Sequence, residues 1–179
     1  MRHQPQNGVG ALRESGADQI LTLAHNLAAF DQLRPQPVPL ADLAEDHTRL
    51  QLLGQTLQWP VLLAPVAYHR LAHAEGELAC ARAAMAMQTG MVVSTLSSYP
   101  LEEIAQAATT ASQELGRSAP LWFQLYSQPD RSNTLSLVRR AEAAGYQAIM
   151  WTVDASIKRS GYPLPEGVEA ANLRGMEQL

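Results

Sequence analysis

The sequence predicts an α/β fold organised around a parallel sheet, and three observations carry that prediction. Apolar runs at 61–64 (VLLA), 91–93 (MVV), 121–123 (LWF) and 148–151 (AIMW) begin at intervals of about 30 residues. Each run is short and continuous, the pattern of a strand buried on both faces. Each interval between them holds a helical pattern with its own start and stop signals. Alternation at this spacing marks right-handed βαβ units, which build either a doubly wound open sheet or a closed (β/α)8 barrel. Periodicity alone does not choose between the two.

The elements follow in order. Residues 18–30 read as a helix, with Ile20, Leu23, Leu27 and Phe30 near helical spacing. The run 34–39 (RPQPVP) holds three prolines and is expected to be an extended connector. Residues 50–59, with Gly54-Gln55 at the centre, read as a hairpin leading into the first buried strand at 61–64. The Ala- and Met-rich stretch 75–88 is a helix, with Gly90 placed as its stop. Pro100 stands at a first helical position, and Glu102 and Glu103 favour the positive end of that helix dipole. Asp130 is an N-cap, Leu135, Val138 and Ala141 follow at a spacing of three, and Gly145 terminates. Loop residues return after Asp154.

Composition bounds the function. A chain of 179 residues is long enough for one domain with a substantial core. Charged residues make up 17% and apolar residues 46%, which excludes disorder over most of the chain. A formal charge of −4 without a long Lys/Arg cluster argues against nucleic acid as the partner. The single Cys80 excludes an internal disulfide and a Cys-based zinc site, and its place among alanines reads as a small buried residue. No signal-peptide core precedes Gly10, and no apolar run is long enough to span a bilayer. The expectation is a cytoplasmic protein with no integral membrane segment, associated with a membrane at most peripherally.

In both architectures ligands bind at the carboxyl ends of the strands, and those ends are polar here. Ala67-Tyr68-His69 follow the first strand, and residues 94–98 (STLSS) close the second. Gln124 and Tyr126 share one face of the third strand, as Thr152 and Asp154 do of the fourth, because side chains alternate along a strand. Taken singly, such groups serve equally to hydrogen-bond loop backbone. Together they suit the edge of a polar heterocycle such as a flavin or pterin, which needs both donors and acceptors. His69 and His73 have metal-pair spacing but no adjacent glutamate in the zinc-protease pattern, and no phosphate-cradling glycine run is present. Met85 and Met87 are expected to pack within their helix and Trp151 within the core.

These segments together resemble the FMN-dependent α-hydroxy acid dehydrogenase family, which includes glycolate oxidase, lactate oxidase and flavin-linked L-lactate dehydrogenase. The resemblance is carried in order by 14–18 (ESGAD), 26–30 (NLAAF), 60–67 (PVLLAPVA), 72–77 (AHAEGE), 94–98 (STLSS), 122–126 (WFQLY), 138–145 (VRRAEAAG) and 152–154 (TVD). It implies a (β/α)8 TIM-barrel rather than an open sheet. Residues 1–59 would form an N-terminal helical segment, connector and hairpin, and 60–179 the first half of the barrel, about four βα units.

The resemblance also implies roles. FMN would be the cofactor and a small, lactate-like (S)-2-hydroxy acid the substrate, oxidised to its 2-oxo acid. The backbone at Val66 and Ala67 would approach the flavin, and Ser97, Gln124 and Thr152 would hydrogen-bond its ring. Tyr126 would contact the substrate, and Asp154 would orient the catalytic histidine. The sequence departs from the family pattern in four ways. Leu12 replaces the N-terminal active-site tyrosine, and the loop after Asp154 is shortened, with Lys158 and Arg159 the candidates for its arginine. The chain stops at Leu179, so the barrel half bearing the catalytic histidine, a flavin-contacting lysine, the substrate arginine and the phosphate loop is expected to be absent. An incomplete barrel has open strand edges. The expectation is therefore a chain inactive alone, which oligomerises or pairs with a complementing second half; the alternative is a non-catalytic remnant.

Overall fold

A computed structural model describes residues 21–154 and 164–176. The chain divides into two compact units, 1–47 and 48–179. In the first, α1 (Leu21–Gln32) is the helix expected over 18–30, and the proline-rich run after it has no regular structure.

The second unit opens with a hairpin of β1 (Leu50–Leu52) and β2 (Gln55–Leu57), paired antiparallel. The turn is Leu53-Gly54, one residue earlier than the sequence placed it. Both residues have positive φ, 50° and 75°, as a two-residue turn matched to strand twist requires. The hairpin belongs to this unit, whereas the sequence division at 59/60 groups it with the N-terminal segment.

Four parallel strands follow: β3 (Leu62–Leu63), β4 (Gly90–Ser94), β5 (Leu121–Tyr126) and β6 (Ala148–Thr152). The intervening helices are α2 (Gly76–Met87), α3 (Leu101–Leu115) and α4 (Arg131–Ala143). Strand order is sequential, β3-β4-β5-β6. A doubly wound sheet reverses direction at a switch point; these strands do not, so right-handed crossovers place every helix on the same face. This is the winding of a (β/α)8 barrel, here an incomplete one.

The helix-facing side holds the core. Met91, Val93, Leu121, Phe123 and Leu125 alternate along β4 and β5 and meet Ala81, Ala84, Ile104, Ala108, Leu137 and Ala141 from the helices. Small residues on α2 and α3 let those helices approach the sheet closely. Phe123 packs edge-to-face on Tyr146, with ring centroids 5.8 Å apart, and the Tyr146 hydroxyl donates to the Leu101 carbonyl at 2.8 Å. Burial holds the Tyr146 phenol well above its ordinary pKa.

Helix boundaries follow the chemistry of the ends. Asp130 caps α4 through a 2.8 Å bond from the Ser132 N–H, and Gly145 takes φ 85° just past that helix. Gly90 is not the stop of α2. Gln88 ends that helix at φ 53°, and Gly90 opens β4, where a Cβ would collide with the Leu62 side chain. Pro100 is the N-cap of α3 rather than its first helical residue and offers no side-chain cap.

Four burial expectations are corrected. Val61 is 56% exposed and Leu63 37%, because β3 is an edge strand. On the opposite edge Ile149, Met150 and Trp151 of β6 are exposed, Trp151 by 63%, and its indole N–H donates to Ser127 Oγ. A continuous apolar run signals strand neighbours on both sides, and each edge strand has only one here. Of the methionines, Met85 is buried while Met87 is 65% exposed. Cys80 is only half-buried; burial and then Glu77 raise its thiol pKa.

Candidate functional site

The sheet face away from the helices is built by alternation. Val92 and Ser94 of β4, Trp122, Gln124 and Tyr126 of β5, and Ala148, Met150 and Thr152 of β6 stand in register across it. At the amino end the hairpin closes over this face: the Trp122 indole donates to Gln55 Oε1 at 3.1 Å, and Leu57 is buried. The polar residues are left at the carboxyl ends.

Gln124 is the centre of that rim and is 2% exposed. Its Oε1 accepts from the Ser94 hydroxyl at 3.3 Å and from the Thr95 N–H at 3.2 Å, and its Nε2 donates to Thr152 Oγ1 at 3.0 Å. The two donors to Oε1 fix the orientation of the amide. Thr152, accepting from Gln124, keeps its own proton to donate outward. Tyr126 is the register partner of Thr152 on the adjacent strand, and its N–H donates to Thr95 Oγ1 at 3.1 Å.

The loop after β3 approaches the same end. Val66 is half exposed and Ala67 half-buried. Tyr68 adopts φ 54°, a left-handed backbone that costs an aromatic residue energy, and three successive bonds hold it there. The Tyr68 N–H donates to Leu96 O at 3.1 Å, the His69 N–H to Glu77 Oε1 at 3.0 Å, and the Arg70 N–H to Ser98 Oγ at 3.2 Å.

Of the residues singled out from the sequence, the structure brings Gln124, Thr152 and Tyr126 together, with Val66 and Ala67 on the loop after β3, two strands from Gln124. Asp154 lies two residues beyond Thr152 and is exposed. Ser97 is fully buried; its hydroxyl donates to Tyr99 O at 2.7 Å and accepts from Asn172 Nδ2 at 2.8 Å, so the turn consumes it. The serine beside Gln124 is Ser94, which sequence reasoning placed only within a run of hydroxyls. Strand register was the missing signal: Ser94 is paired with Gln124. Leu12, Lys158 and Arg159 lie outside the described residues.

The donor set fits a planar heterocycle edge: the Thr152 hydroxyl and the oriented Gln124 amide on adjacent strands, with no fixed charge between them. The Ser94 hydroxyl, donating to Gln124 Oε1 and accepting from the Leu96 N–H at 3.1 Å, holds the amide. Among the described residues no group of three or more His, Cys, Asp or Glu could hold a metal ion, and no helix is long and apolar enough to cross a membrane. A separate cavity of about 370 Å³ opens at the amino end of β5, lined by Thr109, Arg117 and Gln147 among others, and shares no rim residue.

The family model described as FMN-dependent dehydrogenase matches residues 2–176. L-lactate oxidase of Nostoc sp. is 45% identical over 172 residues, covering 92% of this chain and 46% of that protein. Human 2-hydroxyacid oxidase 1 is 41% identical over 140 residues, 78% of this chain and 36% of its own length. Among solved structures, mandelate oxidase with 3,3-difluoro-2-hydroxy-3-phenylpropionic acid superposes with a TM-score of 0.82 at 38% identity, over 92% of this chain and 49% of that one. A tyrosine-to-phenylalanine variant of mandelate oxidase carrying a C4a-OH-FMN adduct gives 0.81. The chain spans about half the length of the relatives it matches.

Proposed function

The chain belongs to the FMN-dependent dehydrogenase family, and from that membership we propose that its rim binds the ring edge of FMN and one side of a small (S)-2-hydroxy acid. The whole enzyme would oxidise that acid, lactate-like in size, to the 2-oxo acid. The observation that carries this reading is the oriented Gln124 amide between Ser94 and Thr152. The second Nε2 proton of that amide and the Thr152 hydroxyl proton, which Gln124 does not use, are the donors offered to a flavin edge.

Bound flavin would supply the two-electron acceptor. The chain's own residues supply recognition and orientation. Gln124 and Thr152 would hydrogen-bond the ring, and the backbone at Val66 and Ala67 would line it. Ser94, whose hydroxyl donates to Gln124 Oε1 and accepts from the Leu96 N–H, would hold the amide in place, as Ser97 holds the turn. Tyr126, beside Thr152, would hold the substrate carboxylate or hydroxyl. Asp154 would hold an imidazole base in one orientation and raise its basicity. That base would come from further βα units of the barrel.

The exposure of β6 favours such units. Its apolar residues and free edge are what a fifth strand and its helix would cover, whether on a second polypeptide or on more of the same one. A chain acting without them would bind flavin and not turn over; one general base is worth about 10² to 10⁴ in rate.

The test is a titration of FMN with the purified chain, followed by quenching of flavin fluorescence. Saturable binding, lost in Gln124→Ala, is the expected result. Absence of binding at high protein concentration overturns the reading.

A further inference from the structure

We propose that Asn172 is a positioning residue for the rim, setting from the far end of the chain where Gln124 and Tyr126 stand. It is 1% exposed and every polar atom of its amide is engaged. Oδ1 accepts from the Leu101 N–H at 2.8 Å, so it caps α3 from outside, where Pro100 cannot. Nδ2 donates to Ser97 Oγ at 2.8 Å, to Thr95 O at 3.1 Å and to Ser94 O at 3.4 Å.

One side chain therefore ties the first turn of α3 to the end of β4 and the turn that follows it. The consequence passes through Thr95. Its hydroxyl donates to Gln124 O at 2.6 Å and accepts from the Tyr126 N–H, while its own N–H donates to Gln124 Oε1. Displacing Thr95 shifts both the amide orientation and the strand end that carries Tyr126. The segment is itself anchored: the Ala171 N–H donates to Ser97 O at 3.0 Å, and Arg140 Nη1 donates to Asn172 O at 3.0 Å.

The effect on flavin rests on the reading of the rim above, so the test uses one readout that needs no flavin. Asn172→Asp keeps the cap on Leu101 and sets an oxygen against the Ser94 and Thr95 carbonyls. Leu173→Ala removes core volume from the same turn without touching the amide. Ser97→Ala, a gentler variant, deletes one of the amide's acceptors. Amide hydrogen exchange of the full chain is measured at Thr95 and Tyr126, with Phe123 as the core reference, alongside an FMN titration.

In Asn172→Asp, exchange at Thr95 and Tyr126 is expected to rise about tenfold relative to Phe123, and FMN affinity to fall by a similar factor. Ser97→Ala moves both in the same direction by less. Leu173→Ala raises exchange at all three sites together, and Arg174→Ala, which breaks the exposed pair with Glu169, changes neither readout. If Asn172→Asp and Ser97→Ala shift Thr95 and Tyr126 no more than Leu173→Ala does at matched Tm, the positioning role is overturned. If the unaltered chain binds no FMN, the flavin reading falls, while the exchange ratio still decides the role of Asn172.

Discussion

The Thr95 hydroxyl sits between two backbone groups of β5, donating to the Gln124 carbonyl at 2.6 Å and accepting from the Tyr126 N–H at 3.1 Å. One buried hydroxyl thereby closes the strand end where the sheet ladder runs out. Thr95→Val keeps the shape and removes this bond from both backbone groups. It is expected to cost about 1–3 kcal/mol in urea unfolding, because a buried strand end loses two hydrogen bonds to one hydroxyl. Thr95→Ser keeps the hydroxyl and should recover most of that loss.

Glu77 predicts a different pair of outcomes. Its Oε1 accepts from the His69 and Ser98 N–H groups, joining the loops that follow β3 and β4. Its Oε2 is buried with no partner among the described residues. Glu77→Gln retains the Oε1 acceptor for both N–H groups, so stability should change by less than about 1 kcal/mol. Glu77→Ala leaves two buried N–H groups unpaired and should cost about 2–4 kcal/mol. Equal losses in the two variants would contradict this account.

Glu102 and Arg140 give a pH dependence. The guanidinium binds both carboxylate oxygens, at 2.7 and 3.0 Å, and holds the Glu102 carboxyl below its usual range. A depressed folded-state pKa adds stability above the unfolded value, about 4.3, and that stability is lost as pH falls through the lower folded value. Both side chains are partly exposed, so solvent screening limits the effect to about 0.5 kcal/mol. Thermal melts between about pH 5 and pH 2 should show this loss in the wild type, with a shallower slope in Glu102→Gln.

The β6 edge predicts self-association. Ile149 and Trp151 stand exposed beside unpaired backbone, a surface that templates strand addition. Light scattering should give an apparent mass that rises with concentration, and Ile149→Lys should lower it. A concentration-independent monomer for the unaltered chain would remove this edge as an interaction surface.

Local signals in the sequence were enough for the elements themselves. The strands, the helices and the Asp130 cap follow from apolar continuity and terminal residues, which act within a few positions. Gln124, Tyr126 and Thr152 were legible as rim residues for the same reason, since strand alternation is a local rule. Asn172 and Glu77 were not legible. Each earns its place through partners far along the chain, and nothing in the residues flanking Asn172 announces a cap for Leu101.

The sequence by itself determined the βα repeat, the polar carboxyl-end rim and, through its ordered motifs, the family. Tertiary structure alone decided which serine meets Gln124, because register across parallel strands is set by packing between crossovers rather than by either strand. It also decided which apolar runs are buried. An apolar run encodes the expectation of neighbours; whether those neighbours exist on both sides is settled only when the sheet is assembled, and at β3 and β6 one side is open.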